Sequence, residues 1–358
     1  MKRFAALLVA GLIVVGSTLA HGSASAATTA DKAEPRRYIV TLKADANPRS
    51  VAAIAGVEPK YVYDAALNGF AADLNQGQLN ALRRHTSVVA IEPDGAILSD
   101  SVIASDEAAQ APVSAGAGIN AASNVTAYVV NTGIYMAHSE FGGRAALGYD
   151  AFGGTGVDCN GVGTHMAGVI GGATYGIAKD VKLRSVRVLD CNGSGTTAGV
   201  IAGINWIANN GVKPAVTSVG FGGAANSSVD TAVANLVTRG ITTVVPAGSS
   251  NADACNYSPA RVASAITVGT ANGTTKAPYS NYGPCVDVYA PGTRTAAWIG
   301  STSATNTISG TTVSAAYVSG CIALYLGGNP TATPTQVYNW VIANAPISGT
   351  IRIFTCPF

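Results

Sequence analysis

Charge is scarce in this sequence. Asp, Glu, Lys and Arg make up 11% of its 358 residues, against roughly a quarter in ordinary soluble domains. The 21 Lys and Arg nearly cancel the 19 Asp and Glu, leaving a net charge of +2. With no basic stripe, nucleic-acid binding driven by phosphate neutralisation is excluded. An apolar fraction of 48% at this low charge also excludes a disordered chain. Long apolar runs are missing after residue 26, where Gly, Asn and charges interrupt each stretch, so no membrane span is expected. CxxC pairs and neighbouring His partners are missing too, which leaves no zinc-type site. Histidine is rare too. The four are His21, His85, His138 and His165, so a mechanism needing an imidazole base has few candidates.

What is present begins with an export signal. Lys2 and Arg3 precede an apolar run of about 12 residues, followed by Ala24-Ser25-Ala26, the three-part layout of a signal peptide over 1–26. The run is too short to span a bilayer. A secreted, extracellular protein is expected, and its six cysteines then read as disulfide candidates. Cys159, Cys191, Cys255 and Cys285 stand in Asn-, Gly- or Pro-rich turns, whereas Cys321 lies in an apolar helical run as either thiol or bridge, with Cys356 near the end.

Two blocks follow. Strand patterns at 37–42, 69–74 and 88–92 and helical patterns at 48–55 and 76–85 are read as a β-α-β-β-α-β order, one strand of which has no pattern of its own, suggesting a small α+β domain within 27–100. From Ser99 the periodicity fades, and 101–124 reads as a linker. Over 125–358, Val- and Ile-rich strands at 126–130, 181–188, 216–219, 241–245 and 266–268 alternate with helices at 164–170, 197–208, 229–238, 312–326 and 334–343. Continuous apolar strands between helices imply a parallel sheet covered on both faces. Sites in such sheets form beyond the carboxyl ends of the strands, which here directs attention to Asn131, to 160–165, to 247–251 and to 309–312.

Those loops carry a resemblance. Thr132-Gly133-Ile134, His138-Ser139-Glu140-Phe141, Val188-Leu189-Asp190-Cys191-Asn192-Gly193-Ser194-Gly195, Asn256-Tyr257-Ser258-Pro259-Ala260, Ser280-Asn281-Tyr282-Gly283, Ala290-Pro291-Gly292 and Ile308-Ser309-Gly310-Thr311 together resemble the subtilisin-like serine proteases of the proteinase K/aqualysin branch. Tyr38-Ile39-Val40 and Leu67-Asn68-Gly69-Phe70-Ala71-Ala72 resemble that family's inhibitory propeptide. The resemblance implies an α/β fold, a subtilisin-like parallel sheet with helices on both faces, preceded by a small α+β propeptide domain. It also implies bridges Cys159–Cys191 and Cys255–Cys285, leaving a Cys321–Cys356 pair open. It implies a structural Ca²⁺ at the Asp287 carboxylate with the carbonyls of Ala263 and Ala265, a chemistry of oxygen ligands. Substrate-lining segments would be Gly193, Ser194 and Gly195, and Gly220, Phe221, Gly222 and Gly223.

The residues that perform the family's chemistry are replaced. By resemblance, Thr312 stands at the nucleophile position, Val162 at the base, Asn131 at the orienting aspartate and Ser249 at the oxyanion-hole asparagine, with Pro246 before it. Ala316 and Tyr317 replace neighbouring family residues, and His138 and His165 match positions that play no catalytic part. A catalytically inactive or severely impaired protease homologue is expected, with its own propeptide in the cleft, no nucleic-acid or membrane partner, and a monomeric state. One alternative is a weak serine-type endopeptidase using Thr312. Another is a peptide-binding or decoy protein that takes extended peptides by strand addition, blocked by a bulky residue at Gly222. Two departures from the family bear on the fold: 101–124 is short and lacks Trp, and the chain ends at Phe358 without the usual final strand pattern.

Overall fold

The first block folds in the order its periodicity predicts. Strand β1 (Arg36–Leu42), helix α1 (Pro48–Ile54), strands β2 (Tyr61–Tyr63) and β3 (Gly69–Leu74), helix α2 (Gln76–Arg84) and strand β4 (Val88–Pro93) make a four-stranded antiparallel sheet of order β2-β3-β1-β4. Asn47 caps α1 through the Ser50 N–H, with Pro48 in the first turn, and α2 opens with a reciprocal Asn75/Gln78 capping box. Val40, Leu42, Val51, Phe70, Leu79 and Leu82 form its core. The computed structural model describes residues 36–100 and 122–358; the export signal and positions 101–121 of the expected linker lie outside them.

The second block contains β5 (Ala96–Ser99), β6 (Thr126–Asn131), β7 (Ala145–Asp150), α3 (Val162–Gly171), β8 (Lys182–Arg187), β9 (Ser194–Thr196), α4 (Thr197–Asn210), β10 (Ala215–Val219), β11 (Phe221–Ala224) and α5 (Ser227–Thr238). It continues with β12 (Thr242–Pro246), β13 (Tyr257–Ser258), β14 (Ile266–Asn272), β15 (Thr275–Lys276), β16 (Val288–Pro291), β17 (Thr293–Ala297), β18 (Thr305–Ser309), α6 (Thr311–Gly328), α7 (Pro334–Ala343), β19 (Ile347–Ser348) and β20 (Ile351–Arg352). Strands run parallel in the order β14-β12-β10-β6-β8-β7, with β16 parallel to β14 and β15 antiparallel at its end. Both faces are covered, and the strand residues alternate between them. Ala127, Val129, Val216 and Val244 pack with α3, α6 and α7, while Tyr128, Val130, Val219 and Val245 pack with α4 and α5. Every residue of β6 is buried, the physical counterpart of its unbroken apolar run.

Three expectations need correcting. Ser99 does not open a linker: it ends β5, which is held between other strands. The helix α6 is, by length and composition, apolar enough to cross a bilayer, contrary to the reading that no such segment follows residue 26, but 83% of it is buried within the fold, where it serves as the central core helix. The chain end is not left open either. A β19–β20 hairpin forms, Phe354 is fully buried with its N–H bonded to the Tyr289 carbonyl at 2.8 Å, and Cys356 pairs with Cys321. The bridges Cys159–Cys191 and Cys255–Cys285 are both formed.

The small domain packs onto α4 and α5. Asn205 of α4 accepts from the backbone N–H groups of Asp64, Ala65 and Ala66 at 3.1, 2.8 and 3.0 Å. Tyr63 reaches the Ala198 carbonyl at 3.0 Å. Glu92 accepts from the N–H and hydroxyl groups of Ser227 and Ser228 in the first turn of α5, and Asp94 accepts the Ala198 N–H at 2.8 Å in the first turn of α4. Both carboxylates thereby meet orphan helix donors and the favourable end of a helix dipole.

Candidate active-site cleft

The parallel order brings the carboxyl end of β6 beside that of β10, and the starts of α3 and α6 rise above them. Asn131 ends β6 fully buried, its side-chain amide donating to the Gly220 carbonyl, while Oδ1 has no hydrogen-bond partner among the described residues. A Cβ on Gly220 would lie 2.6 Å from the Asn131 amide nitrogen, so the close approach requires glycine there.

Val162 opens α3, held by a knot of polar contacts that sequence reasoning missed. Asp158 accepts from the Asn160 and Gly161 N–H groups with Oδ1, and from the Thr164 N–H and hydroxyl with Oδ2 at 2.9 and 2.6 Å. Thr132 accepts the Gly163 N–H at 3.0 Å. The only hint in the sequence was the Asp158-Cys159-Asn160-Gly161 turn, an Asx pattern before a helix. Position 162 is thus fixed at the cleft wall, but its side chain has no atom that can accept a proton. With Leu98, Ser99, Gly193, Trp298 and Ile308 it lines an open cavity of about 350 Å³.

The histidines are engaged elsewhere. His165 is fully buried, Nε2 lies 2.9 Å from the Arg294 carbonyl, and burial lowers its pKa to about 4. His138 meets the Ala304 carbonyl at 2.8 Å with Nε2 and accepts the Glu140 N–H with Nδ1. Among the described residues, neither makes a hydrogen bond to Thr312.

Thr312 stands in the first turn of α6, after Gly310, whose φ of +155° suits glycine. Its hydroxyl donates to the main-chain carbonyl of Asp100 at 3.3 Å. Ser249, after β12, sends its backbone N–H to Asp100 Oδ1 at 3.0 Å, and Thr311 donates its hydroxyl to Asp100 Oδ2 at 2.9 Å. Asp100 thus meets Ser249, Thr311 and Thr312, and the sequence reading did not single it out.

Asp100 arrives there through β5. Ser99 and Leu98 pair antiparallel with Phe221 and Gly222 of β11, while Leu98, Ile97 and Ala96 pair antiparallel with Ser194, Gly195 and Thr196 of β9. The Ser99 N–H adds a bond to the Gly193 carbonyl at 2.8 Å. The segment is therefore the middle strand of a β11-β5-β9 ribbon. Ile97 is 2% exposed, packed with the core on the α4 and α5 side, and burying such a side chain is worth about 1.5–3 kcal/mol. The expected blocking position, Gly222, pairs with Leu98 of the ribbon. Nothing lies within 4 Å of a Cβ built on Gly222, whereas one on Gly223 would meet Ile97 Cδ1 at 2.8 Å. A second cavity of about 260 Å³, bordered by Asp100, Gly222, Gly223, Pro246, Ala247 and Asn281, continues beyond the strand.

Asp287 lies apart, at the lip of β16. Oδ2 accepts the Thr267 N–H at 2.8 Å, Oδ1 accepts the Tyr338 hydroxyl at 3.0 Å, and burial pushes its carboxyl pKa up. Each oxygen keeps a lone pair. Oxygen donors of this kind are what Ca²⁺ takes. Among the described residues no group of three or more His, Cys, Asp or Glu gathers as a metal site.

Comparisons with known proteins agree with this geometry. Residues 147–354 match the Subtilase family, Peptidase S8, and residues 37–97 match the Peptidase inhibitor I9 family. The chain is 43% identical to the extracellular serine proteinase of Thermus sp. (strain Rt41A), over 94% of this chain and 93% of that one. It is 41% identical to the alkaline serine exoprotease A of Vibrio alginolyticus, over 81% of this chain and 57% of the relative. A solved cold-adapted subtilisin-like serine proteinase is 41% identical, covering 69% of this chain and 94% of its own, with a TM-score of 0.64. The chain belongs to the subtilisin-like serine protease family, with an I9 inhibitor domain ahead of its α/β core.

Proposed function

We propose that this chain is an exported subtilase pseudoprotease that hydrolyses peptide bonds negligibly and keeps its own I9 domain seated in the cleft. One observation carries the reading: the Thr312 hydroxyl faces the Asp100 carbonyl at 3.3 Å, while Val162 occupies the wall from which a base would act. A hydroxyl attacks an amide only as a base takes its proton. Asn131 has no imidazole to orient, and the side chain of Ser249 bonds with Thr311 rather than reaching toward the carbonyl. In subtilisins, losing the triad costs about a millionfold in kcat, and losing the oxyanion side chain about a hundred- to a thousandfold. The effects overlap, so the expected loss is at least about a millionfold. Export rests on the N-terminal signal pattern and on the extracellular Thermus relative.

The test is direct. Purified chain treated with a fluorophosphonate probe is expected to stay unlabelled. Restoring Asn131→Asp, Val162→His, Ser249→Asn and Thr312→Ser together is expected to bring labelling back. Labelling of the unaltered chain that disappears in Thr312→Ala would instead support a weak serine-type endopeptidase. The β11-β5-β9 ribbon favours a second property of the same cleft, capture of an extended peptide by strand addition. For Ca²⁺ we propose Asp287 as the single charged ligand, with the Ala263 and Ala265 carbonyls, supplying stability and no chemistry.

A further inference from the structure

The contacts of the Asp100 side chain are not those of a passing residue. Its two oxygens meet two separate donors, the Ser249 N–H and the Thr311 hydroxyl, at 3.0 and 2.9 Å. The Thr311 hydroxyl is pre-aimed: its oxygen accepts the Gly248 N–H at 3.1 Å, which turns its proton outward to the carboxylate. The Thr311 N–H is in turn directed to the Ser249 hydroxyl at 3.3 Å, tying the two donors' residues together. Thr311 is the first residue of α6, an 18-residue helix whose dipole favours an anion there, and Ser249 is tied to it from the loop after β12. The side chain thus takes the donors nearest Thr312, while the second cavity bordered by Gly222 and Pro246 lies to one side.

The geometry points to a carboxylate-recognition subsite, built by Ser249 and Thr311 at the former catalytic end of the cleft, whose ligand is an extended peptide bearing an acidic side chain one residue beyond its β-paired segment. This chain's own Asp100 fills the subsite in cis. The inference deepens the pseudoprotease reading and rests on it in one respect, that the peptide bond after Asp100 stays intact. It gives the cleft a chemical preference: an apolar residue at the Ile97 position, two spacer residues, then an acid. Desolvation works against the charge and pushes the Asp100 carboxyl pKa up, the two hydrogen bonds opposing it, so the donors are what make an acid tolerable at this depth.

Hydrogen exchange on the full chain, read by mass spectrometry over residues 94–100, tests this. Asp100→Lys and Thr311→Val are each expected to speed exchange about tenfold, the scale of one hydrogen bond to a charged group. Thr311→Ser, which keeps the hydroxyl, is expected to leave it unchanged. The double variant Asp100→Lys/Thr311→Val should be no faster than Asp100→Lys alone, because that change already removes the contact with Thr311. Unchanged exchange in both single variants, or multiplied effects in the double, would overturn the proposal. Should a variant misfold, peptides added to the unaltered chain decide: Ala-Ile-Leu-Ser-Asp amide should displace the tail at about tenfold lower concentration than Ala-Ile-Leu-Ser-Lys amide, and equal potency overturns the subsite. A cut after Asp100, seen by intact mass, would remove the pseudoprotease reading yet leave the Asp-against-Lys comparison readable.

Discussion

His165 shows most plainly how a family residue can persist without chemistry. Its ring is fully buried, and desolvation takes its pKa from 6.5 to about 4. The unfolded chain therefore binds a proton that the folded chain refuses. Stability contributed by the neutral ring is complete above pH 6.5 and is lost as pH falls toward 4, amounting to about 3 kcal/mol for a shift of this size. Denaturant titration across pH 4–7 is expected to show that loss, and His165→Asn to flatten the same stretch; equal slopes in both proteins would contradict the assignment. At Gly223 the prediction is steric. Gly223→Leu should expel Ile97 and loosen β5, whereas Gly222→Ala should leave it seated, since only the former meets Ile97; exchange of the β5 amides separates the two. Motif residues were legible because each keeps its neighbours, as with Thr132-Gly133 beside Asn131. Asp100 was not, because its partners Ser249 and Thr311 lie 149 and 211 positions away.

Elements follow the same division. The Val- and Ile-rich strands β6, β10 and β12 and the helices around them were readable, since burial on both faces writes an unbroken apolar run. Strands β9 and β11 are Ser-Gly-Thr and Phe-Gly-Gly-Ala, with no periodicity to read, and they exist as strands because β5 lies between them. The C-terminal hairpin depends in the same way on distant partners, namely Tyr289 and Cys321. Removing its bridge with Cys321→Ala/Cys356→Ala opens a closure of 35 residues, worth about 3–4 kcal/mol in the chain-entropy account. A fall in melting temperature on thermal unfolding is the expected result, without loss of the tail's hold in the cleft. If Asp287 binds Ca²⁺, chelation should lower the melting temperature of the unaltered chain but not of Asp287→Asn to the same extent; identical shifts would exclude that site.

At the scale of the whole molecule, the I9 domain and the core are held together by side-chain contacts and by β5. Tyr63, Glu92 and Asp94 dock the domain on α4 and α5, and β5 carries the chain into the cleft up to Asp100. The pseudoprotease reading proposed above requires the peptide bond after that carbonyl to stay intact. Thr312, Val162, Asn131 and Ser249 stand where the proposed pseudoprotease reading places the lost chemistry, and on that reading docking has no chemical sequel. His138 and His165 are both committed to backbone carbonyls. Restoring the four residues adds an actor without moving the substrate, which makes the molecule its own assay. Intact mass of the purified full chain, beside the variant carrying Asn131→Asp, Val162→His, Ser249→Asn and Thr312→Ser, is the most direct measurement. The account predicts an uncut unaltered chain and a restored variant severed between Asp100 and Ser101; an unaltered chain that severs itself there would contradict it.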